Sequence, residues 1–290
     1  MISPPIGDEP ARTVFICAHY DTALTGAAYN PGARRAFELF RRIWPAKTSP
    51  QAVVFWSIAL LLPTLGLRMA GVDASWVGLL QLPQTLILIV AAFVIGEIGL
   101  SPPSPGANDN AAGVAAALIA AAGLENDPPE TVEVRLLLCG GGQTTRQGAR
   151  SFIRENRKRL DRDQTWFIDI SSPGIGEPRF VTSEVPALSQ RLDPTLRELA
   201  EALAEGSDRN LASLGPGPSG SASLFAGYGY PAIALTARRG SEFTPSHHHT
   251  PADRPETVDP DSIGSVAAVA EALVRLLDRS VARERRSSAG

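Results

Sequence analysis

Short apolar runs, amphipathic stretches and two long apolar blocks succeed one another along the 290 residues. Thr13-Val-Phe-Ile-Cys-Ala18, Val132-Glu-Val-Arg-Leu-Leu-Leu-Cys139, Trp166-Phe-Ile-Asp-Ile-Ser171 and Tyr230-Pro-Ala-Ile-Ala-Leu-Thr236 have the length of strands and are largely apolar on both faces. Such strands predict the inside of a sheet covered by helices. Arg179–Thr182 predicts a further short strand. Between these runs, the Ala-rich segment 114–123, the basic segment 145–160, and segments 193–206 and 261–279 carry helical periodicity. An Arg-rich tail predicted to fray follows the last of them. Strands alternating with helices predict an α/β fold with a central, mostly parallel or mixed sheet flanked by helices.

The blocks from Ala52 to Leu67 and from Trp76 to Gly96 break this alternation. Each approaches the ~20 residues a membrane-spanning helix needs. The polar tip Gly71-Val-Asp-Ala-Ser75 between them completes a two-helix transmembrane hairpin. Arg68, Gln81 and Gln84 leave open a buried helical pair or an interfacial hairpin. On this reading residues 51–100 are an insertion, and 1–50 with 101–290 form one α/β domain. The basic stretch from Ala33 to Lys47 precedes the first block, and the tip carries no Lys or Arg. The positive-inside rule then places both hairpin ends and the globular part on the cytoplasmic side.

Composition changes this picture little. A net charge of −3 gives no argument for nucleic acid. Cys17 and Cys139 sit in apolar strands and are expected to pack as small hydrophobes. Residues 1–12 show no signal-peptide pattern.

The histidines change it more. All four fall in two places, His19 and His247–His249, each followed by an aspartate (Asp21, Asp253). In an extended chain His19 and Asp21 point to one side, so Asp21 can orient the imidazole. Asp109 lies in the turn Pro105-Gly-Ala-Asn-Asp-Asn-Ala-Ala-Gly113 ahead of the Ala-rich helix, where a plain N-cap is the alternative to a ligand. Asp169 is embedded in a strand and needs a cation or several donors. These residues lie at or near the carboxyl ends of predicted strands or at a helix start, the edge where open α/β sheets bind ligands. Asp and His donors converging there suit zinc or a similar ion. Gly140-Gly-Gly-Gln143 lacks the Lys of a P-loop, and Gly217-Pro-Ser219-Gly-Ser221 is no nucleophile elbow.

The segments His19-Tyr-Asp21, Pro105–Gly113, Phe167-Ile-Asp169 and His249-Thr-Pro-Ala-Asp253 resemble, in order, the motifs of the di-zinc aminopeptidases. That family includes bacterial leucyl aminopeptidases, glutaminyl cyclases and carboxypeptidase Q. The resemblance spans residues 13–278 apart from the hairpin. It implies that His19 and Asp169 hold one zinc, Asp109 bridges two, and His249 holds the second, with His248 the less favoured alternative. Asp21 would orient His19.

It also implies a Glu-Glu pair that this chain lacks. Counted back from Gly148-Ala-Arg150, the pair falls on Gly142 and Gln143. The general base is then missing at Gly142, and Gln143 replaces a carboxylate ligand by a weak, neutral one. Glu242 is a candidate substitute carboxylate. One zinc is expected, with the second site weakened. The family also has more chain before its first motif strand, so here either the start is assigned too late or the sheet edge is bare. The chain thus reads as a membrane-anchored zinc aminopeptidase-like protein acting on peptide or protein substrates. It is impaired in catalysis, or else is a pseudopeptidase that binds metal, peptide or a protein partner. Because the hairpin is inserted between the His19 strand and the Asp109 turn, the cleft mouth is expected near the bilayer.

Overall fold

The computed structural model describes residues 2, 6, 12–43, 49–143, 145–184, 190–206, 210–218, 220–240 and 242–288. Most of the polar lead 1–12, Lys47 and Ser219 lie outside this set. The chain divides into two compact units, one of residues 1–23, 104–184 and 190–290, the other built on residues 24–103.

The first unit is built on a six-stranded mixed sheet of β1 (Arg12–His19), β2 (Val132–Cys139), β3 (Thr165–Ile170), β4 (Glu177–Val181), β7 (Ala212–Leu214) and β8 (Ala232–Arg238). Their order across the sheet is β2-β1-β3-β8-β4-β7. β2, β1, β3 and β8 run parallel, and β4 is antiparallel to β8. β5 (Ser183–Glu184) and β6 (Gln190–Arg191) form a small separate ladder.

Alternation along the strands sorts the core into two layers. Val14, Ile16, Ile168 and Ile233 face α4 (Ala112–Asn126), α6 (Pro194–Glu205) and α8 (Pro260–Ser288). The small side chains of Ala116, Ala117 and Ala120 bring α4 close to this layer and to Ala267 and Ala270 of α8. On the other face Phe167 stacks on Phe15 (5.2 Å) and on Phe225 (4.0 Å). Phe152 meets Phe15 edge-on, so α5 (Gln147–Asn156) and α7 (Ser221–Gly227) close this layer. Each fully buried Phe or Ile contributes on the order of 2 kcal/mol.

Several expectations shift. The sheet edge is not bare: Ile6 exchanges two backbone hydrogen bonds of 2.9 Å with Val134, and Ile2 bridges Leu137. The basic helix is confined to α5, shorter than 145–160. The Arg-rich tail does not fray but continues α8 to Ser288, where Val281 is buried and Glu284 pairs with Arg12. The N-cap alternative for Asp109 fails, because α4 starts only at Ala112. Cys17 and Cys139 are buried free thiols, with burial pushing Cys139 up to about 11.

In the second unit, α1 (Pro31–Ile43) turns the basic stretch into a helix. α2 (Pro50–Met69) and α3 (Ser75–Leu100) are both long and apolar enough to cross a membrane. The Ser49 side chain caps α2 by accepting from Ala52 N, and Pro50 begins the helix. At 26 residues α3 is about 39 Å long. Its apolar side chains are open, Phe93 at 76% and Leu79 at 71%. Arg68 pairs with Asp73 at the tip, 3.2 Å apart.

Candidate metal centre

The site forms where β1 and β3 end and the 105–111 turn passes over them. Asn110 ties these ends together, its Nδ2 donating to the carbonyls of His19 and Ile170 at 3.1 Å each. Its Oδ1 accepts from Ser172 N at 2.9 Å. A Cβ on Gly113 would lie 2.2 Å from that Oδ1, so the glycine leaves room for the clamp. On the other side of Asp109, Asn108 Oδ1 accepts from Gly174 N at 2.8 Å.

Asp253 then presents the turn. Fully buried, it accepts from Asn108 N (2.6 Å) and Asp109 N (3.1 Å). Asp109 itself has non-helical backbone angles (φ −118, ψ 80) and is joined to Asn110 by a cis peptide.

Asp109 is the hub. Its Oδ1 lies 3.6 Å from His19 Nε2 and accepts from Ser172 Oγ at 3.2 Å. Its Oδ2 lies 3.0 Å from His248 Nδ1 and 3.3 Å from His249 Nε2. His247 and His249 take left-handed backbone angles (φ 58 and 54), uncommon for residues other than glycine. The rings of His248 and His249 stack at 3.6 Å. Potential ligand atoms of Asp109, His248 and His249 lie within 4.8 Å of one another. His248, the less favoured of the pair in sequence, thus stands as close to Asp109 as His249 does.

The charges follow this geometry. Burial opposes a charged His19, but Asp109 and Asp21 outweigh it and raise its pKa to about 10. Burial also works against ionised Asp109, yet the surrounding imidazoles hold it well below the usual range. His248 is pushed down to about 4 by burial and by His249 beside it.

Asp21 stands behind His19, Oδ1 3.6 Å from Nδ1. It accepts from Gly142 N (2.8 Å) and Gln143 N (3.1 Å). Although its partial burial raises its pKa, His19 and these two N–H groups bring it down to about 2.

Gly142 is more than a missing side chain. A Cβ there would lie 2.5 Å from His19 Cβ and 2.6 Å from Cγ, so the loop packs directly on the imidazole. Gln143 spans the other side of the site. Its Nε2 donates to Asp109 Oδ2 at 2.9 Å, and its Oε1 accepts from His249 Nε2 at 3.0 Å. In this arrangement that His249 nitrogen carries a proton, which it must lose before it can hold a cation.

Asp169 stands outside these contacts. Its Oδ2 accepts from Ser221 N at 3.0 Å. Its Oδ1 is buried and, among the described residues, has no hydrogen-bond partner. Burial raises its pKa. A buried carboxylate oxygen left open in this way is chemically suited to a cation, as is a donor set of carboxylates and imidazoles.

Glu242 is exposed. The carboxylate that does stand close by is Glu184, which nothing in its sequence surroundings marks. It accepts from Gly220 N (2.7 Å) and Ser223 N (3.0 Å). A Cβ on Gly220 would meet both Glu184 Oε1 (2.9 Å) and Asp169 Oδ2 (3.2 Å). Burial, and then Asp169, raise the Glu184 pKa to about 7 against its donors. Arg146 donates to Gly220 O (2.7 Å) and Ser223 Oγ (3.2 Å) at the same place.

A family profile described as Peptidase family M28 matches residues 93–274. No curated protein matches the chain. Among solved structures, a zinc aminopeptidase from Bacillus subtilis is 17% identical with a TM-score of 0.52, over 94% of this chain and 48% of that one. LapB from Legionella pneumophila is 12% identical (TM-score 0.55; 92% and 52%). A Bacteroides thetaiotaomicron glutaminyl cyclase bound to N-acetylhistamine is 14% identical (TM-score 0.51; 92% and 74%). The chain spans about half the length of the first two, and at these identities the likeness is one of fold.

Proposed function

The chain belongs to peptidase family M28, and from that premise we propose a membrane-anchored, zinc-binding, aminopeptidase-like protein whose peptide-bond hydrolysis is impaired. The observation that carries the impairment is the Gly142–Gln143 loop. It offers no carboxylate, it packs on His19, and it ties Asp109 to His249 through a neutral amide. In this reading His19, Asp109 and Asp169 hold one zinc, and His249 or His248 with Asp109 offers a second, weaker position. A zinc held there would polarise a peptide carbonyl and acidify water.

The chain's own residues do the rest. Asp21 fixes the His19 ring, and Asp253 and the two asparagines hold the Asp109 turn. At the general-base position no side chain is available to take a proton, a loss of ~10²–10⁴ in rate. A pseudopeptidase that binds metal, peptide or a protein partner without turnover is the second reading. It is favoured by the closeness of Gly142 to His19, which leaves no room for a larger residue in the present loop.

The anchoring reading is supported by the length and exposure of α2 and α3. The basic stretch before them supports a cytoplasmic globular part.

Zinc per chain and turnover of amino-acyl arylamides test the proposal in the native protein, in Gln143→Glu and in Gly142→Glu/Gln143→Glu. We expect one zinc and negligible turnover in the native protein, and a second zinc in Gln143→Glu. In the double variant, turnover requires the loop to retreat from His19. Rapid native turnover abolished by a chelator would overturn the impairment, and a metal-free native protein in zinc buffer would overturn the metal site.

A further inference from the structure

The sequence of α1 sorts its residue types by helical position with little mixing. At 100° per residue, positions 33, 36, 37, 39, 40 and 43, all apolar, fall in an arc about 160° wide. Positions 34, 35, 38, 41 and 42, four arginines and one glutamate with a net charge of +3, fall in the opposite arc. Leu39, on the apolar arc, is 59% exposed. At 13 residues the helix is about 20 Å long, too short to cross a bilayer. Yet α2, long and apolar enough to do so, begins only seven residues after Ile43.

We propose that α1 lies in the plane of the membrane surface, its apolar arc at the acyl boundary and its arginines on the phosphates of anionic phospholipids. The inference rests on the anchoring reading above and deepens it by naming the lipid chemistry. Three observations favour lipid over a protein groove. The apolar arc is broad rather than a narrow seam, the polar arc is rich in arginine, and the chain runs on into a membrane-spanning length. A bidentate guanidinium suits a phosphate. An acidic protein or a second copy of the chain would offer the arginines a counter-charge but gives no reason for the helix to adjoin a span.

The full-length chain tests this in vesicles of phosphatidylcholine alone and with phosphatidylglycerol, carrying an environment-sensitive dye at Leu39→Cys or at Arg35→Cys. Cys17 and Cys139 are buried and do not compete for the label. In anionic vesicles the dye at 39 should shift to the blue and be quenched by nitroxide lipids labelled near the headgroup, while the dye at 35 stays in water. Each arginine removed, as in R41A or R42A, should lower the bound-to-free ratio of the helix about fivefold, as should added salt progressively.

Equal quenching in neutral and anionic vesicles, or a dye at 39 that stays in water on protein that co-floats with both, would overturn the inference and spare the anchor. Energy transfer between labelled copies in place of lipid quenching would assign the face to self-association. Protein that floats with neither vesicle would overturn the anchoring itself.

Discussion

On its Oδ1 side Asp109 faces an imidazole and a hydroxyl, while on its Oδ2 side it faces two stacked imidazoles and an amide. Behind the first side stands Asp21, a carboxylate that steadies His19 from outside. Behind the second stands a neutral loop that bridges rather than ligates. The two sides share one carboxylate but answer its charge differently. On the first side one imidazole and one hydroxyl reach the carboxylate. On the second, the ligand atoms of Asp109, His248 and His249 lie within 4.8 Å of one another, and an amide N–H holds the same Asp109 oxygen. Under the proposed reading, the impairment is confined to that one short loop.

The variant with the largest expected effect removes what the sides share. Asp109→Asn leaves His19, buried and charged, with Asp21 alone beside it, and should lower stability by on the order of 3 kcal/mol and abolish zinc uptake. Denaturant melts and bound zinc measure both. A variant that kept its zinc would show that the hub lies elsewhere.

Glu184 probes the first side from behind Asp169. Its folded pKa of about 7 exceeds the ordinary 4.5, so the folded state holds its proton longer than the unfolded chain does. In the metal-free protein, stability should therefore fall as pH rises from about 4.5 to 7, by at most ~3 kcal/mol. Glu184→Gln should flatten that slope, as read from melting temperature against pH. An unchanged slope would mean another group carries it.

Asp21→Asn weakens only the support of the first side. It should reduce zinc affinity by ~10–100-fold and bring the His19 pKa, followed by NMR titration, down from its raised value. Gln143→Met should matter least. It removes two hydrogen bonds at about 1 kcal/mol each and should leave first-side zinc affinity within about threefold. A large drop would make the amide a true ligand and blur the contrast between the two sides.

The sheet and most of the hub were legible in the sequence, because His19 and Asp169 punctuate short apolar strands and Asp109 sits between two asparagines in a Pro/Gly turn. The mixed order of the sheet is not legible there, since the antiparallel place of β4 depends on pairing between segments. What stayed hidden acts across long stretches of chain. Asp253 reaches back 145 residues to Asn108. Glu184 joins Asp169 only through the fold around Gly220, with no local pattern to announce it. Gly142 read as an empty place because a sequence shows the missing carboxylate and not the imidazole packed against the backbone. In α1 the charges read as a flank of the first apolar block until the helix bounds Pro31–Ile43 give them a period.

The ends of residues 24–103 are already fastened to each other: Ser104 N donates to Ala23 O at 2.8 Å, Leu24 bridges Pro103, and Thr25 N donates to Pro102 O at 2.9 Å. The two ends of the segment therefore meet, and a tight turn joining them in its place would close a much shorter loop at a lower entropic cost.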